Sequence, residues 1–583
     1  MTKKPVIVVD GGKLALAVAA AESAIMQDYA RWNLYQREGL LMKVVQATEK
    51  DNRFVHRPLG AVILKVASDA MVFDVLNQVA VWEKHNAKGE VIEIDCPDKV
   101  VRVMQSRAGM LKLPELLGVI NAPAMRAGGT ILDKPGYDEA TGLLLEKPLA
   151  AWRPLPFPVR AETADQKIQA LRQLSEQAVQ VLSKPFEKFP FKGAADRSVL
   201  ISAILTGLQR RLLRSAPAHC FDAPMQGSGK SLLADCVSII VTGREVASIA
   251  CPEDKEELRK SLLASLLAGD AIINIDNVTT AIDSDALAVA LTQKFFKGRI
   301  LGVSENGSAL TNALMLLTGN NMLFSKDMPS RVLVARLEPH EEEPEKRHFD
   351  NDLRTDVLEQ RPQLVAAALT ILKAYFDAGR PDVKLEQFGR FEQWSSEIRS
   401  ALVWAGMTDP CETRKQVVKL DPERNSMLAV LTQWYAATAD QITTDGLIKL
   451  SGKMGSERLY MALLAVAADR NRSDRVNARR LGIWCSKNVG RPLGGYRLDS
   501  CGDIHGGFAS WQVVKLAVEE RAAAAAAETA NPSPAEMASR NGYYEAPLAD
   551  YDDSPRALNG NRQPLIIDGI VVTDYVEREW KIN

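Results

Sequence analysis

The spacing of apolar residues changes along the chain. Residues 14–31 are Ala-rich with helical spacing, Gly39-Leu40-Leu41-Met42-Lys43-Val44-Val45 reads as a strand, and 58–82 and 91–103 continue the mixture. That stretch closes in turn-rich sequence, Gly128-Gly129-Thr130 and Pro135-Gly136-Tyr137-Asp138. Pro148, Pro154, Pro156 and Pro158 follow and read as a linker. Residues 161–214 carry helical spacing through Ile168, Leu171, Leu174, Val179 and Leu182. From 215 to 340 short apolar runs alternate with helical stretches, the rhythm of an α/β layer. Residues 350–410 are mostly helical, for example 364–375 and 391–404, and 425–517 form a further small module. The Ala run 522–527 and Asn531-Pro532-Ser533-Pro534 read as a low-complexity connector. The tail is first acidic and aromatic (Tyr543, Tyr544, Glu545, Asp550, Tyr551, Asp552, Asp553), with a strand expected over 565–572; partial disorder or docking onto a neighbouring surface is expected of it.

This pattern predicts an α/β multidomain chain. An N-terminal α+β domain spans 1–150, an α/β core 160–345, a helical region 346–424, a C-terminal module 425–517, and a linker with an acidic tail 518–583. The length of 583 residues agrees, since it suggests roughly three to four domains. At 46% hydrophobic and 25% charged, the composition is that of a soluble globular protein. The net charge of −1 restricts any nucleic-acid contact to local basic patches. The seven cysteines and six histidines are scattered without a CxxC pair, which speaks against a zinc site and suits a reducing, cytoplasmic setting. Asp10 and Lys13 break the first apolar run, so it is not a secretion signal, and no run approaches the ~20 residues of a membrane span.

The chemistry concentrates at Ala223-Pro224-Met225-Gln226-Gly227-Ser228-Gly229-Lys230-Ser231. An apolar strand, Ala218-His219-Cys220-Phe221, precedes it, and a helix over 231–242 follows. Strand, Gly-rich loop and helix form a cradle for phosphates: Pro224 opens the loop without an N–H of its own, and the backbone N–H groups from Met225 through Gln226, Gly227, Ser228, Gly229, Lys230 and Ser231 face them at the helix N-terminus. Lys230 would reach the β- and γ-phosphates of ATP, and Ser231 would hold Mg²⁺. Gly227 and Gly229 fit the phosphate-loop pattern; Pro224 stands where the strict pattern has Gly. Ala271-Ile272-Ile273-Asn274-Ile275-Asp276 is an apolar strand closing on an acid, which places Asp276 as the second metal residue. Asn277 follows it, where a catalytic Glu is usual; either another acid serves, Glu257 and Glu305 being candidates, or hydrolysis is slow. The strand 312–321 closes on amides, and Asn320, with Asn321 second, is the candidate to orient the attacking water. Arg331 in Asp327-Met328-Pro329-Ser330-Arg331 stands where ring ATPases carry the cation that reaches a neighbour's γ-phosphate, with Arg336 the alternative. Between acid and amides, Glu305-Asn306-Gly307-Ser308 signals a hairpin turn. Lys294, Lys297 and Arg299 on that hairpin would meet DNA phosphates in a central channel, or simply form a solvated basic turn.

In the C-terminal module, residues 474–487 read as a helix with Leu481, Trp484 and Cys485 on one face. Arg475, Arg479, Arg480 and Lys487 are available to the other, and Arg472, Arg491 and Arg497 add to the local charge. Strands 493–498 and 508–513 with a Gly-rich turn follow. A helix followed by a two-stranded wing suggests a DNA-binding winged helix; a protein-docking module is the other possibility.

Taken in order, Ala223-Pro224 to Lys230-Ser231, Ile275-Asp276-Asn277-Val278, Arg299-Ile300-Leu301-Gly302, Thr318-Gly319-Asn320-Asn321 and Ala378-Gly379-Arg380-Pro381 resemble the primase–helicase-type AAA+ ATPases of phages, plasmids and mobile elements, of the superfamily-three or MCM-like kind. Leu34-Tyr35-Gln36-Arg37 and Pro135 to Leu143 extend the resemblance to roughly residues 15–410, and Pro224 and Asn277 are ordinary in that group. The resemblance implies an AAA+ core over 160–345 and a homo-hexameric, ATP- and Mg²⁺-dependent DNA helicase. It would act on single-stranded or forked DNA during replication of such an element. Residues 1–150 carry no acidic triad for primer synthesis, which leaves them to bind DNA or a separate primase. An ATP-switched initiator or loader that does not unwind DNA, and a scaffold or defence ATPase, are the alternatives.

Overall fold

The computed structural model describes residues 4–51, 55–153, 155, 161–279, 281–299, 306–339, 352–469, 472–504, 508–517, 565–567 and 570–572. Glu305, the tetrapeptide Arg299-Ile300-Leu301-Gly302 beyond its Arg, the prolines 154, 156 and 158, the low-complexity connector and the acidic tail lie outside the described residues. Residues 1–529 form one compact unit and 530–583 another. In the second, Leu565–Ile567 and Ile570–Val572 pair antiparallel, so two short strands stand where one was expected over 565–572.

In the N-terminal region, Val6–Val8 (β1), Val81–His85 (β5) and Val91–Ile94 (β6) make one small sheet. Leu34–Arg37 (β2), Leu40–Gln46 (β3) and Val62–Val66 (β4) make another. The helices Leu14–Met26 (α1), Asp69–Val79 (α2) and Asp98–Ser106 (α3) contribute buried side chains to one apolar cluster with Ile7, Leu34 and Trp82. The helix read over 14–31 is therefore shorter, with a separate turn of helix over Tyr29–Trp32. Gly118–Ile120 (β7), Gly136–Asp138 (β8) and Leu143–Leu145 (β9) form a third small sheet.

The core is built on a five-stranded parallel sheet of Ala218–Ala223 (β10), Ala247–Ala250 (β11), Ile272–Val278 (β12), Leu314–Asn320 (β15) and Val332–Arg336 (β16), in the order β11-β12-β15-β10-β16. Every residue of β10 is buried, as a strand covered on both faces must be. The helices Ala164–Ser183 (α4), Ala194–Gln209 (α5), Lys230–Thr242 (α6), Lys255–Ala268 (α7) and Asp285–Thr292 (α8) supply the covering layers together with Leu353–Asp377 (α9), which packs on α4 and α6. Between α8 and β15, Phe295–Arg299 (β13) and Asn306–Leu310 (β14) pair antiparallel against α7. Asn306, Gly307 and Ser308 thus lie in a strand rather than in the turn their sequence suggests, because Arg299, Gly298 and Lys297 pair with them.

The N-terminal region is anchored to this core. Ala122, Met125 and Leu149 belong to the same apolar cluster as β10 and α6, although the Pro-rich stretch after them reads as a linker. His56 exchanges two backbone hydrogen bonds with Ser248 on the outer edge of β11 (3.0 and 2.9 Å). Next to it, Arg57 and Asp270 form a buried bidentate pair at 2.8 and 2.7 Å.

The C-terminal module comprises Pro422–Ala437 (α10), Ile442–Thr443 (β17), Thr444–Ser451 (α11), Glu457–Ala467 (α12), Ala478–Asn488 (α13), Pro492–Leu493 (β18), Tyr496–Ile504 (β19) and Phe508–Lys515 (β20). Its sheet runs β17-β20-β19-β18. Gly494 and Gly495 turn the chain between β18 and β19, so the strand read over 493–498 is divided there.

Candidate functional site at the carboxyl rim of the parallel sheet

In a parallel sheet the loops after the strand ends form the natural binding edge. The loop 224–229 leaves the end of β10 at that edge and enters α6. Gly227 and Gly229 have φ of 70° and 92°, and a Cβ on Gly229 would lie 2.8 Å from the Phe189 ring. No side chain caps α6, so its first N–H groups face outward without a capping oxygen, an arrangement that can hold an anion. Lys230 folds back over the loop and donates from Nζ to the Met225 carbonyl (2.8 Å), which also accepts from Ser228 Oγ (2.7 Å). Burial lowers the Lys230 pKa, and the nearby Asp222 and Asp276 carboxylates oppose that shift. Pro224 and Gln226 lie in the same loop.

Asp276 sits two residues before the end of β12, not at its terminus. The ladder slips after Ile275, and Asn277 takes a left-handed backbone with φ 55°. Asp276 Oδ1 accepts from Ser231 Oγ (3.5 Å) and from Thr318 Oγ1 on the adjacent strand β15. Among the described residues no three His, Cys, Asp or Glu side chains gather, so a cation between Ser231 and Asp276 would take its other ligands from water and phosphate oxygens. Gly319 lies where a Cβ would meet the Val278 carbonyl at 2.5 Å, so β15 closes tightly on β12 here. Beyond it, Asn320 Oδ1 is a buried acceptor with no partner, and Asn321 takes φ 48°. Such an orphan acceptor is the position a bound water or ligand hydroxyl would satisfy. Glu257 pairs with Lys260 on its own helix (2.6 Å).

The two arginines separate by register. Ala218 opens β10 opposite Val332, whereas Asp222, at its far end, stands opposite Arg336. Arg331 therefore lies at the amino edge of the sheet, about 16 Å from the loop at ~3.3 Å per residue. It is 1% exposed, and its Nη1 bonds the Asp327 carbonyl (2.9 Å) and carboxylate (3.2 Å). Arg331, expected from its order along the chain to reach a neighbour's phosphate, is here buried and bonded to Asp327 of its own chain. Arg336 lies at the carboxyl rim, bonded to Asp222 and to Asn321 Oδ1 (2.8 Å).

The hairpin β13–β14 also rises from the amino edge. Lys294, Lys297 and Arg299 are exposed, and Lys294 Nζ lies 5.2 Å from the Phe295 ring centre. In the C-terminal module, Arg475, Arg479, Arg480 and Lys487 are exposed at or just before α13, while Leu481 and Cys485 are buried. Arg480 donates to the Ala468 carbonyl, which ties it to its own module. Thr318 is the site residue that sequence reasoning missed. A hydroxyl in an apolar strand carries no signal until the neighbouring strand is known.

No known family and no curated protein matches the chain. Among solved structures, an apo form of the NrS-1 C-terminal region aligns with a TM-score of 0.33 and 10% identity, over 82% of this chain and 95% of that one. A second structure of that region aligns at 0.31 and 12%, over 81% and 96%. The JCV helicase aligns at 0.19 and 12%, over 42% and 68%. TM-scores of this size do not establish a shared fold, and the functional conclusion rests on the site. Among the described residues no helix is long and apolar enough to cross a membrane.

Proposed function

We propose that the chain is a P-loop ATPase of the AAA+ kind, assembled as a ring of six, that moves or unwinds DNA during replication of a mobile element. The observation that carries this is the convergence at one rim of the Gly-rich loop, Lys230, the Ser231–Asp276–Thr318 cluster and the unpartnered Asn320 oxygen.

The loop N–H groups and the α6 N-terminus bind the phosphates of ATP. Lys230 leaves the Met225 carbonyl for the β- and γ-phosphates. Ser231 and Asp276 would hold Mg²⁺, which neutralises charge developing on the phosphates. Thr318 fixes the Asp276 carboxylate, and Asn320 Oδ1 accepts a proton-bearing edge of water and aims its oxygen at the γ-phosphorus. A P–O bond to that water forms as the bond to the β–γ bridging oxygen breaks; the electron pair stays on the β-phosphate, the water's proton passes to a phosphate oxygen and on to solvent, and ADP and inorganic phosphate leave. The β13–β14 hairpin, through Lys294, Lys297 and Arg299, and a winged helix reading duplex through Arg475, Arg479, Arg480 and Lys487 are the DNA contacts.

ATP hydrolysis by the full chain, with and without single-stranded and forked DNA and beside Lys230→Ala, tests the proposal. The expected result is DNA-stimulated turnover that the substitution abolishes; turnover equal in both proteins sinks it. Asn277 in the place of the usual Glu favours a second reading, a slow ATP switch that binds DNA without unwinding it. DNA-dependent turnover without strand separation would select that one.

A further inference from the structure

We infer that Arg336 is a positioning residue acting inside its own subunit, where it locks the Asn320–Asn321 turn onto the first residues of the Gly-rich loop; this rests on the nucleotide reading above. Arg336 closes β16, next to the last residues of β10. Its Nη1 donates to Asp222 Oδ2 and its Nη2 to Asn321 Oδ1 (2.8 Å), while its Nε lies 3.7 Å from Glu338 Oε1. Every nitrogen of the fork is thus directed at its own chain.

The partners close a ring of bonds. Asn321 donates from its backbone to the Ala223 carbonyl (3.0 Å) and from Nδ2 to the Pro224 carbonyl (3.4 Å). Asp222 Oδ1 accepts from the Met322 backbone (3.0 Å). The left-handed backbone of Asn321, which Asn tolerates better than most residues, is what brings its amide into this ring. One residue earlier stands Asn320 with its unpartnered oxygen. The guanidinium therefore couples the loop that holds phosphate to the amide that aims water, through a planar fork that a single ammonium cannot reproduce. An arginine so engaged is not the cation that reaches a neighbouring subunit.

Turnover and ADP binding by titration test this on the full chain carrying Arg336→Ala, Arg336→Lys or Lys230→Ala. Arg336→Ala is expected to lower kcat about 10- to 100-fold, the scale of a displaced catalytic group. ADP affinity is expected to stay within about threefold, because the loop itself remains. Arg336→Lys is expected to recover only a minor part. Mixing the Arg336→Ala and Lys230→Ala proteins is expected to leave turnover at the level of the two alone, since each subunit keeps one broken site. Recovery on mixing overturns the inference, because it makes the arginine act across subunits. So does a loss of ADP affinity as large as the loss of kcat, which marks a structural part only. Turnover that needs Lys230 but ignores Arg336→Ala removes this inference alone; turnover that ignores Lys230 removes the nucleotide reading with it.

Discussion

The two ends of one parallel sheet use their charged groups in opposite ways. At the carboxyl rim, Lys230, Ser231, Asp276, Thr318 and Arg336 bond one another or nearby loop atoms, and Asn320 keeps an acceptor open. At the amino edge, arginines are spent on holding the chain together, mostly through backbone carbonyls. Arg210 donates to the Ala313 (3.1 Å), Leu213 (2.8 Å) and Thr311 carbonyls, and Arg211 to Asn312 Oδ1 and the Gly269 carbonyl (both 2.6 Å). Burial pushes their pKa values down to about 10 and about 9. Arg331 belongs with this second group. A cation after the amide strand therefore says little by itself; its place in the strand register decides whether it meets ligand or holds up the fold.

The strongest way to break this contrast is Lys230→Ala. Turnover should fall more than about 100-fold with an unchanged thermal midpoint, since a rim group serves ligand rather than stability. A lowered midpoint would place Lys230 among the structural cations. Arg331→Ala should do the reverse, costing about 2 kcal/mol of stability in denaturant titration while folded protein keeps its turnover within about twofold. Selective loss of turnover there would restore Arg331 as a site residue. Thr318→Val keeps the shape and removes the donor to Asp276, so kcat at limiting Mg²⁺ should fall about tenfold, with Thr318→Ser close to the parent. The effect smallest at neutral pH, and confined to acid, is expected at His219, buried in β10 with Nε2 3.0 Å from Ser202 Oγ. Desolvation pushes its pKa from 6.5 down to about 3, so it stays neutral in the fold while the unfolded chain takes up a proton below 6.5. The stability it contributes is complete above 6.5 and is lost as pH falls from there toward about 3. His219→Asn should flatten that part of the stability-against-pH curve, by at most about 1.4 kcal/mol per pH unit.

What was legible in the sequence follows the same division. The loop 224–231, Asp276 and the Asn320–Asn321 pair stand out because phosphate and water chemistry demands particular residue types at strand ends. The Asp276 strand runs two residues further than its sequence suggests, because a register slip lets the chain continue to Val278. Thr318 could not be found, since its partner comes from a strand 42 residues away. Arg331 and Arg336 could not be told apart, since five residues along one strand span the whole sheet. Asn306-Gly307 has turn chemistry, yet pairing with Arg299 and Gly298 draws it into β14. The exposed basic residues of α13 were visible as charge, but charge alone does not name a partner.

The two backbone bonds from His56 to Ser248 also set a limit on how this protein can be cut. They blunt the outer edge of β11, which would otherwise present open N–H and C=O groups to any passing strand. A fragment trimmed to begin at residue 160 would bare that edge and leave Asp270 without its arginine. Such a fragment is expected to self-associate by strand addition, so shortened versions of this chain should retain the segment around residue 56 or replace its cover.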